Sequence, residues 1–444
     1  MLCYTQSARY PPEVVWAAVL APYLCNMHTT PESGAPWVAV VGGGPAGLLA
    51  AQHLAEAGCR VTVYEAQATV GRKFLVAGHG GFNLTNGEPA EAFAARYAAR
   101  GPEFAQYLQH FSAADLRAWA QQLGISTFVG TSGRVFPTEE HKPAQVLRAW
   151  LARLHTLGVA LNTRHRWLGF AAPDAGLRIR HEATGQETVV HPAATLLALG
   201  GASWTKTGSD GRWLPTLQAA GVACVPFAPS NCGAEVGWST FFRETVGRQP
   251  LKNIALHCGG QTVRGEVLLT DYGLEGTPVY ALTPALREAL AVGTPATLLL
   301  NLKPALTEAQ LAEKLTRRRA GKSLASFLGE ALKLRPPVPT LLREVGPAHL
   351  PTTAPELAHL LTHLPLPVAG LRPLEEAIST AGGIAWPEVN KHLMLNRLPG
   401  IFVAGEMLDW EAPTGGYLLQ GCFSTGAWAA RGIRQWLESN GALE

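Results

Sequence analysis

The seven cysteines of this chain include no Cys-X-X-Cys pair, and no Cys/His group has the spacing of a metal site. Their number is odd and they are scattered along 444 residues, a pattern typical of reduced thiols and not of a disulfide framework. We therefore expect no metal centre, no redox-active disulfide and a cytoplasmic location.

The sequence has neither a large excess of charge of one sign nor a long apolar run. Charged residues make up 16% of the chain and the net charge is +3, values that neither require nor exclude a nucleic-acid partner. No apolar run has the length of a transmembrane helix, so no membrane partner is expected. The hydrophobic fraction of 47% indicates a folded protein, and the length predicts two or three domains.

The N-terminal segment, residues 1–36, carries little information about the fold. Its short apolar piece, Val14 to Leu20, follows few basic residues and is flanked by prolines. That composition favours a loosely ordered extension, or a start at Met27, over a signal peptide.

The segment from Trp37 to Glu65 reads as strand, glycine turn, helix, strand and acid. This order is the dinucleotide-binding βαβ fingerprint. Gly42 permits the tight turn, Gly44 lets a pyrophosphate approach the backbone, and Gly47 allows the helix to pack on the sheet. The free N–H groups of the helix face the phosphates, and Glu65 is placed to accept hydrogen bonds from a ribose diol.

A second glycine-rich loop, residues 78–86, follows Gly71-Arg72-Lys73. Its glycines let backbone approach a flat ligand or a phosphate, and Arg72 is a candidate contact to phosphate or ribose. The polar residues Asn83, Thr85 and Asn86 are equally explained by ordinary turn chemistry, so both interpretations stay open.

From residue 90 to residue 221 the pattern alternates between helices and strands. Helices are predicted at 90–123 and 143–157, and three short strands at 159–161, 177–181 and 188–191 suggest a β-meander. A buried strand at 195–199 then runs into Gly200 and Gly201, which bring bare backbone to the carboxyl edge of the sheet.

The pattern changes again at residue 222. Short alternating apolar runs predict an antiparallel β domain made of residues 222–305 and 363–375. Residues 306–362 are helical and more basic, and a solvated helix face explains these cations better than an RNA-binding surface does.

The C-terminal part of the chain returns to the nucleotide domain. A strand into a Gly-Gly turn at 377–384 and a strand ending in Gly405-Glu406 precede Gly415-Gly416 and a helix at 423–437. The acid is placed to hold the sugar-alcohol chain of a flavin, and the helix dipole to stabilise negative charge on the reduced ring. The nucleotide domain is therefore predicted to be split into residues 37–221 and 376–444.

Several motifs in order carry a family resemblance. They read GRKFLVAGHGGFNLTN, GRVFP, LLALGGASWTKTGSDG, PLKNIAL, GEVLLTDYGLEG, TAGGI and IFVAGEMLDWEAPTGGYLLQGCFSTG. The chain resembles the BaiN-like bacterial flavoproteins, NAD(P)/FAD-dependent oxidoreductases, from Trp37 to Gly432. The resemblance implies an α/β fold: a glutathione-reductase-like FAD-binding Rossmann domain with an inserted barrel-like antiparallel β domain and a small helical subdomain.

The resemblance and the motifs together select a set of FAD-binding residues, which are Gly42, Gly44, Pro45, Ala46, Gly47, Glu65, Ala66, Arg72, Lys73, Asn83, Gly200, Gly201, Gly405, Glu406, Gly415, Gly416, Tyr417 and Gln420. At two positions where the family commonly has an arginine and a cysteine, this chain has Gly81 and Phe82. It also has Leu418 and Gly421 where the family commonly has asparagine and tryptophan. These departures indicate a divergent subgroup, so no substrate is carried over.

Family activities all use flavin hydride chemistry and differ in the acceptor. We expect an FAD-dependent reductase of a small molecule that takes hydride from NADH or NADPH and passes it through flavin N5 to an activated double bond. The alternatives are an aminoacetone-type oxidase that produces hydrogen peroxide and a ribosomal-RNA uridine reductase. The sequence contains no second GxGxxG unit, so NAD(P)H is expected to dock transiently, and no oligomeric state is selected.

Reduction of a double bond also needs a proton donor opposite the hydride. Four residues lie in or beside the motifs of the expected cleft, and each is also explained by a structural role: Tyr417, His79, Tyr272 and Cys422. No signal in the sequence selects one of them.

Overall fold

The computed structural model describes residues 34–76, 81–139, 141–172, 176–293, 295–317 and 323–443. The described chain forms two compact units. Unit 1 contains the residues up to Ala228 and from Thr380 onward, and unit 2 is Pro229–Ser379. The chain passes from one unit to the other within strands β11 (Cys224–Ser230) and β19 (Ser379–Ile384), which pair as a two-stranded sheet.

A five-stranded parallel sheet forms the centre of unit 1. Its strands are β1 (Trp37–Val41), β2 (Arg60–Glu65), β6 (Ala160–Thr163), β10 (Ala194–Leu197) and β20 (Ile401–Val403). They are ordered β20-β10-β1-β2-β6, which is the order of a dinucleotide-binding sheet. All residues of β10 and β20 are buried, as expected for a parallel sheet that is covered on both faces.

The helices of unit 1 lie between these strands and at the C-terminus. They are α1 (Pro45–Glu56), α2 (Arg72–Val76), α3 (Ala90–Ala95), α4 (Gly101–His110), α5 (Ala113–Gln122), α6 (Pro143–Thr156), α7 (Leu214–Ala219) and α15 (Tyr417–Ser439). Helix α15 packs against α1, and Gly426 allows the approach because a Cβ there would lie 2.4 Å from the carbonyl oxygen of Ala46. Among the described residues, no helix is both long and apolar enough to cross a membrane.

Unit 1 also contains two small antiparallel sheets. One consists of β3 (Thr85–Asn86), β5 (Arg134–Pro137) and β4 (Thr127–Val129), and the other of β7 (His165–Ala171), β8 (Gly176–His181) and β9 (Glu187–Val190). The second sheet corresponds to the predicted meander, but its first strand is β7 and not the segment 159–161. The segment 159–161, predicted to begin the meander, belongs to β6 of the parallel sheet, because its backbone pairs with β2.

Unit 2 is built on a seven-stranded sheet. Its strands are β12 (Ala234–Glu235), β13 (Gln249–Cys258), β14 (Gln261–Leu269), β15 (Gly273–Glu275), β16 (Ala296–Asn301), β17 (Leu364–Val368) and β18 (Gly370–Leu371). The order is β17-β16-β13-β14-β15-β12-β18, and each described pairing is antiparallel. Only Ala369 separates β17 from β18, which stand at opposite ends of this order. The sheet must therefore curl until its ends meet, which gives the barrel-like shape.

Seven α-helices are described in unit 2, and they are α8 (Thr240–Val246), α9 (Thr277–Ala281), α10 (Thr283–Ala291), α11 (Glu308–Leu315), α12 (Leu324–Ala331), α13 (Val338–Val345) and α14 (Ala354–Thr362). The last four occupy the segment predicted to be helical. The unit has its own buried core, in which the leucines of these helices pack with the inner face of the sheet. The predicted α/β class with an inserted antiparallel β domain and helices is confirmed.

Three other element predictions differ from the structure. The segment 90–123 is three short α-helices with a 3-10 turn at Ala98–Arg100, because the chain breaks at Ala98, which has a φ of +50°, and at Phe111, which is extended. Gly382 and Gly383 lie within β19 and not in a turn after it. Glycine is needed at both positions because a Cβ would come within 2.5 Å of a backbone oxygen of a neighbouring segment. Helix α15 begins at Tyr417, six residues earlier than predicted, with Gly416 as its N-cap.

Candidate functional site

The turn between β1 and α1 leaves an open backbone surface at the carboxyl edge of the parallel sheet. Gly44 is the N-cap of α1, and no described side chain caps the helix. A Cβ at Gly44 would have no described atom within 4 Å, although its neighbours in the turn are tightly packed. The first N–H groups of α1 and the positive end of its dipole therefore face open space, as an anion site requires.

The other two glycines of the fingerprint are required by packing. Gly42 has a φ of +109°, and a Cβ there would lie 2.3 Å from the carbonyl oxygen of Ala198 on the neighbouring strand. A Cβ at Gly47 would lie 2.1 Å from the carbonyl oxygen of Gly42. Gly42 and Gly47 are therefore needed because only a residue without a side chain allows this close packing, whereas Gly44 is open to a ligand.

Glu65 ends β2 beside this turn, and the backbone fixes both of its carboxylate oxygens. Oε2 accepts a hydrogen bond from the N–H of Gly43 at 2.9 Å, and Oε1 accepts one from the N–H of Gln67 at 2.8 Å. Burial raises the pKa of the Glu65 carboxyl, and these two N–H groups oppose that shift. Each oxygen keeps a lone pair that can accept a hydrogen bond from a hydroxyl group.

Lys73 and Glu406 form an ion pair at the end of β20. The ammonium Nζ of Lys73 lies 2.6 Å from Glu406 Oε2 and donates to Ser203 Oγ at 2.9 Å. The Glu406 side chain is 9% exposed and that of Lys73 is 27% exposed. A carboxylate this buried needs a partner, and the lysine on α2 provides it.

The Gly200-Gly201 turn follows β10, and side chains hold it from two directions. Trp213 donates from Nε1 to the carbonyl oxygen of Gly200 at 2.8 Å. Thr380 Oγ1 accepts from the N–H groups of Ala202 at 3.0 Å and of Ser203 at 3.2 Å, which places Ser203 beside Lys73. A Cβ at Gly201 would lie 2.6 Å from Thr380 Oγ1.

These segments enclose a cavity of about 380 Å³ within unit 1. The predicted FAD-binding residues that line it are Gly42, Gly44, Pro45, Ala46, Glu65, Ala66, Arg72, Lys73, Gly200, Gly405 and Glu406. The predicted residues outside its lining are Gly47, Asn83, Gly201, Gly415, Gly416, Tyr417 and Gln420. Their contact with a cofactor stays a prediction.

Part of the cavity wall comes from residues that the sequence did not indicate. Arg166 on β7 donates from Nε to Glu182 Oε2 at 3.0 Å, and its NH1 lies 3.7 Å from Asp210 Oδ2. Arg180 on β8 stands opposite Arg166 and donates to Glu182 at 2.9 Å and 3.0 Å. The signal that could have found them is the register of the meander, which places the two arginines side by side.

Several predicted residues outside the lining lie where β3 meets the start of α15. Gly416 lies against the backbone of Thr85, where a Cβ would come within 2.4 Å of the carbonyl carbon. The amide of Gln420 is engaged by protein groups, because Oε1 accepts from Thr85 Oγ1 at 2.7 Å and Nε2 donates to the carbonyl oxygen of Phe111 at 3.0 Å. In contrast, Nδ2 of Asn83 is buried and has no hydrogen-bond partner among the described residues.

The four proton-donor candidates have different surroundings. Cys422 lines the cavity, and burial together with the Glu406 carboxylate raises the pKa of its thiol. Tyr417 packs on α3 outside the cavity lining, and burial raises its pKa to about 12. Tyr272 belongs to unit 2, where its hydroxyl contacts Glu275 and burial raises its pKa. His79 lies outside the described residues.

The residues of this site suit a dinucleotide such as FAD. The N-terminus of α1 has no side-chain cap, and a Cβ at its N-cap Gly44 would meet no described atom within 4 Å, so a pyrophosphate can approach it. Glu65 presents two fixed carboxylate oxygens as acceptors for a ribose diol. Glu406 lines the same cavity and provides a further carboxylate acceptor. The Asn83 amide, which has no hydrogen-bond partner among the described residues, lies outside the cavity lining, so its contact with a cofactor stays a prediction.

Comparison with known proteins agrees with this geometry. Residues 36–432 match the family model described as HI0933-like protein Rossmann domain. The chain is 28% identical over 413 residues to the 3-dehydro-bile acid delta(4,6)-reductase of Clostridium scindens, a match that covers 89% of this chain and 98% of the relative. It is 21% identical over 394 residues to the ribosomal RNA dihydrouridine synthase of Haemophilus influenzae, with 87% and 95% covered.

Solved structures share the fold at low sequence identity. A flavocytochrome c3 fumarate reductase in its open conformation matches with a TM-score of 0.51 and 14% identity, covering 99% of this chain and 83% of that one. The 3-ketosteroid delta1-dehydrogenase of Sterolibacterium denitrificans matches with a TM-score of 0.50 and 12% identity, covering 90% and 99%.

Proposed function

The chain belongs to the HI0933-like family and is an FAD-dependent oxidoreductase, and from this premise we propose that it uses NAD(P)H to reduce an activated carbon–carbon double bond of a small molecule. The observation that carries the proposal is the match to a bile-acid reductase over 98% of that relative's length. The family model likewise covers residues 36–432, which include the whole inserted unit.

The β1–α1 turn binds the pyrophosphate of the cofactor. The N–H groups that begin α1 donate to its oxygens, and Gly44 leaves room for them. Arg72 stands at the start of α2 on the cavity wall, so its positive charge would attract the same phosphates, whereas the charge of Lys73 is paired with Glu406. The dipole of α1 adds to this attraction.

Glu65 and Glu406 position the two sugar parts of the cofactor. Glu65 accepts hydrogen bonds from the ribose diol, and its fixed backbone partners keep the carboxylate in one orientation. Glu406 accepts from the sugar-alcohol chain. Lys73 pairs with Glu406, so this carboxylate adds no uncompensated negative charge to the cavity.

FAD, when bound, supplies the hydride chemistry of the reaction. The sequence has one glycine-rich βαβ unit, so NAD(P)H docks transiently and no second dinucleotide domain holds it. Cys422 faces the cavity as a neutral thiol, because burial keeps its pKa high. A neutral thiol next to the Glu406 carboxylate adds no charge to the site.

Anaerobic mixing with NADH and NADPH, followed by addition of candidate acceptors, tests this proposal. We expect one of the two nucleotides to bleach the visible absorbance of the bound flavin, and a conjugated ketone acceptor to restore it. Absence of bleaching with both nucleotides would reject NAD(P)H as the donor. If only oxygen restores the flavin absorbance, and if aminoacetone is consumed with formation of an equal amount of hydrogen peroxide, the amine-oxidase alternative would be favoured.

A second candidate is the reduction of a uridine in ribosomal RNA. It is favoured by the match to the Haemophilus influenzae enzyme over 95% of that relative. RNA binding of this kind would weaken steeply as salt rises, because phosphate contacts release counterions. Ribosomal RNA that neither binds at low salt nor reoxidises the reduced flavin would remove this candidate.

A further inference from the structure

Two helices of unit 2 bring an acid and two histidines together on the surface. Glu308 is the first residue of α11, directly after its N-cap Thr307. His359 lies in the last turn of α14, and His363 is the C-cap of that helix. Helices α11 and α14 pack against each other, so the three side chains meet at one end of this pair.

The three side chains converge on a single oxygen atom. Oε1 of Glu308 lies 3.2 Å from His359 Nδ1 and 3.1 Å from His363 Nδ1. All three ligand atoms lie within 4.8 Å of one another. Ligand atoms bound at about 2.0–2.1 Å in a tetrahedral site are roughly 3.3 Å apart. The two distances from Glu308 to the histidines are close to that separation.

Sequence spacing and exposure also suit a metal ion from solution. His359 and His363 are four residues apart, which places them on one face of a helix, as in helical zinc motifs. Their side chains are 65% and 42% exposed, and that of Glu308 is 44% exposed. An ion can therefore reach all three from solvent.

A fourth histidine lies next to this group. The ring of His257, on β13, lies 6.4 Å from the ring of His363 and is nearly parallel to it. His257 Nδ1 is hydrogen-bonded to Thr262 Oγ1 at 2.7 Å, while its Nε2 is buried without a partner among the described residues. One anchored nitrogen and one vacant nitrogen is the arrangement of a metal-ligating histidine.

We propose that Glu308, His359 and His363 form a binding site for a divalent transition-metal ion, with Zn²⁺ the best match to two imidazoles and one carboxylate. Thr362 Oγ1 lies 3.0 Å from Glu308 Oε1 and orients the carboxylate. The bound ion joins the first turn of α11 to the last turn of α14 and stabilises unit 2 through linkage between binding and folding. The sequence analysis expected no metal centre, because the spacing of His359 and His363 alone gives only two ligands and the third, Glu308, is supplied by a separate helix.

The competing explanation is a set of exposed hydrogen bonds between histidines and a carboxylate. Such pairs contribute little to stability and need no ion. The two explanations differ in what added metal does, so a metal titration separates them.

The test uses the full-length protein, stripped of metal with EDTA and then titrated with Zn²⁺ by equilibrium dialysis and metal analysis. Wild-type protein is expected to bind one Zn²⁺ per chain at this site and to melt at a higher temperature with Zn²⁺ than with EDTA. His359→Ala/His363→Ala and Glu308→Gln are expected to weaken binding by more than about 100-fold, since loss of an outer-shell partner alone costs 10–100-fold. His349→Ala, an exposed histidine of the same unit, is the matched control and should bind as wild type does.

Co²⁺ gives a second, spectroscopic measurement of the site. Wild-type protein with Co²⁺ should show the intense visible absorbance of a four-coordinate site, and the double variant should not. The proposal is overturned if wild-type protein retains no Zn²⁺, or if the double variant binds Zn²⁺ as tightly as wild type. Melting temperatures of all variants in EDTA establish that each protein is folded.

Discussion

Substitution of Gly44 by alanine separates cofactor binding from folding. The backbone of Gly44, with φ −86° and ψ −179°, is accessible to any residue, and an added Cβ meets no described atom within 4 Å. Alanine at an N-cap position costs at most about 1 kcal/mol relative to glycine. The folded protein should therefore tolerate the change, whereas a pyrophosphate in contact with this backbone should not.

The size of the expected effect follows from hydrogen bonding. If the added methyl group displaces the pyrophosphate enough to lose one charge-assisted hydrogen bond from an N–H group of α1, about 1.5–3 kcal/mol of binding free energy is lost. That loss raises the dissociation constant of FAD by about 10- to 150-fold.

Titration of the apoprotein with FAD, followed by the quenching of flavin fluorescence, measures this dissociation constant. Gly237→Ala is the matched control, since a Cβ there also meets no described atom within 4 Å and Gly237 does not line the cavity. Gly47→Ala gives the opposite contrast, because its Cβ would lie 2.1 Å from the carbonyl oxygen of Gly42 and should destabilise the fold by about 1–3 kcal/mol. A Gly44→Ala protein that melts normally and binds FAD with wild-type affinity would refute the placement of the pyrophosphate.

Three further changes test the other parts of the site. Lys73→Ala should lower the free energy of unfolding by about 1–3 kcal/mol, because it leaves the buried Glu406 carboxylate without its cation; a double-mutant cycle with Glu406→Gln that gives no coupling energy would contradict the pairing. Glu65→Gln should weaken FAD binding and cost about 1–3 kcal/mol in urea unfolding, since its amide group opposes a backbone N–H; unchanged values for both would exclude the assigned role. Cys422 should react slowly with iodoacetamide at pH 8 in mass-spectrometric mapping, since its raised pKa keeps the thiol protonated until the pH is well above 8; rapid labelling would show that the thiol is accessible and ionised.

The β1–α1 region was predictable because all its parts are contiguous. The position of Gly47 follows from its close contact with Gly42, which any strand–turn–helix of this kind makes, whereas the contact of Gly42 with Ala198 comes from the segment after β10. The same local logic placed Glu65 at the end of β2. The family resemblance, drawn from motifs along the whole chain, is confirmed by the match over residues 36–432.

Pairs between distant segments were predicted only in part. Lys73 and Glu406 are 333 residues apart, and each was selected by its own motif, but their ion pair depends on β20 joining the edge of the parallel sheet. Helix α2 then has to bring Lys73 to the end of β20. A sequence pattern gives no measure of that distance.

The arginines of the meander were missed for a different reason. Strand β7 was not predicted because its apolar residues do not alternate, and a register irregularity between Trp167 and Gly169 disrupts the period. Arg166 and Arg180 become neighbours only when β7 pairs with β8. The wall that they form next to Glu65 is therefore a property of the folded sheet.

The most direct measurement of the central claim is the cofactor content of the purified protein and its response to nicotinamide nucleotides. We predict a yellow protein that releases one FAD per chain on denaturation, and whose visible absorbance is bleached by NADH or NADPH in the absence of oxygen. A colourless protein that cannot be loaded with FAD, although it is folded by circular dichroism, would contradict the account.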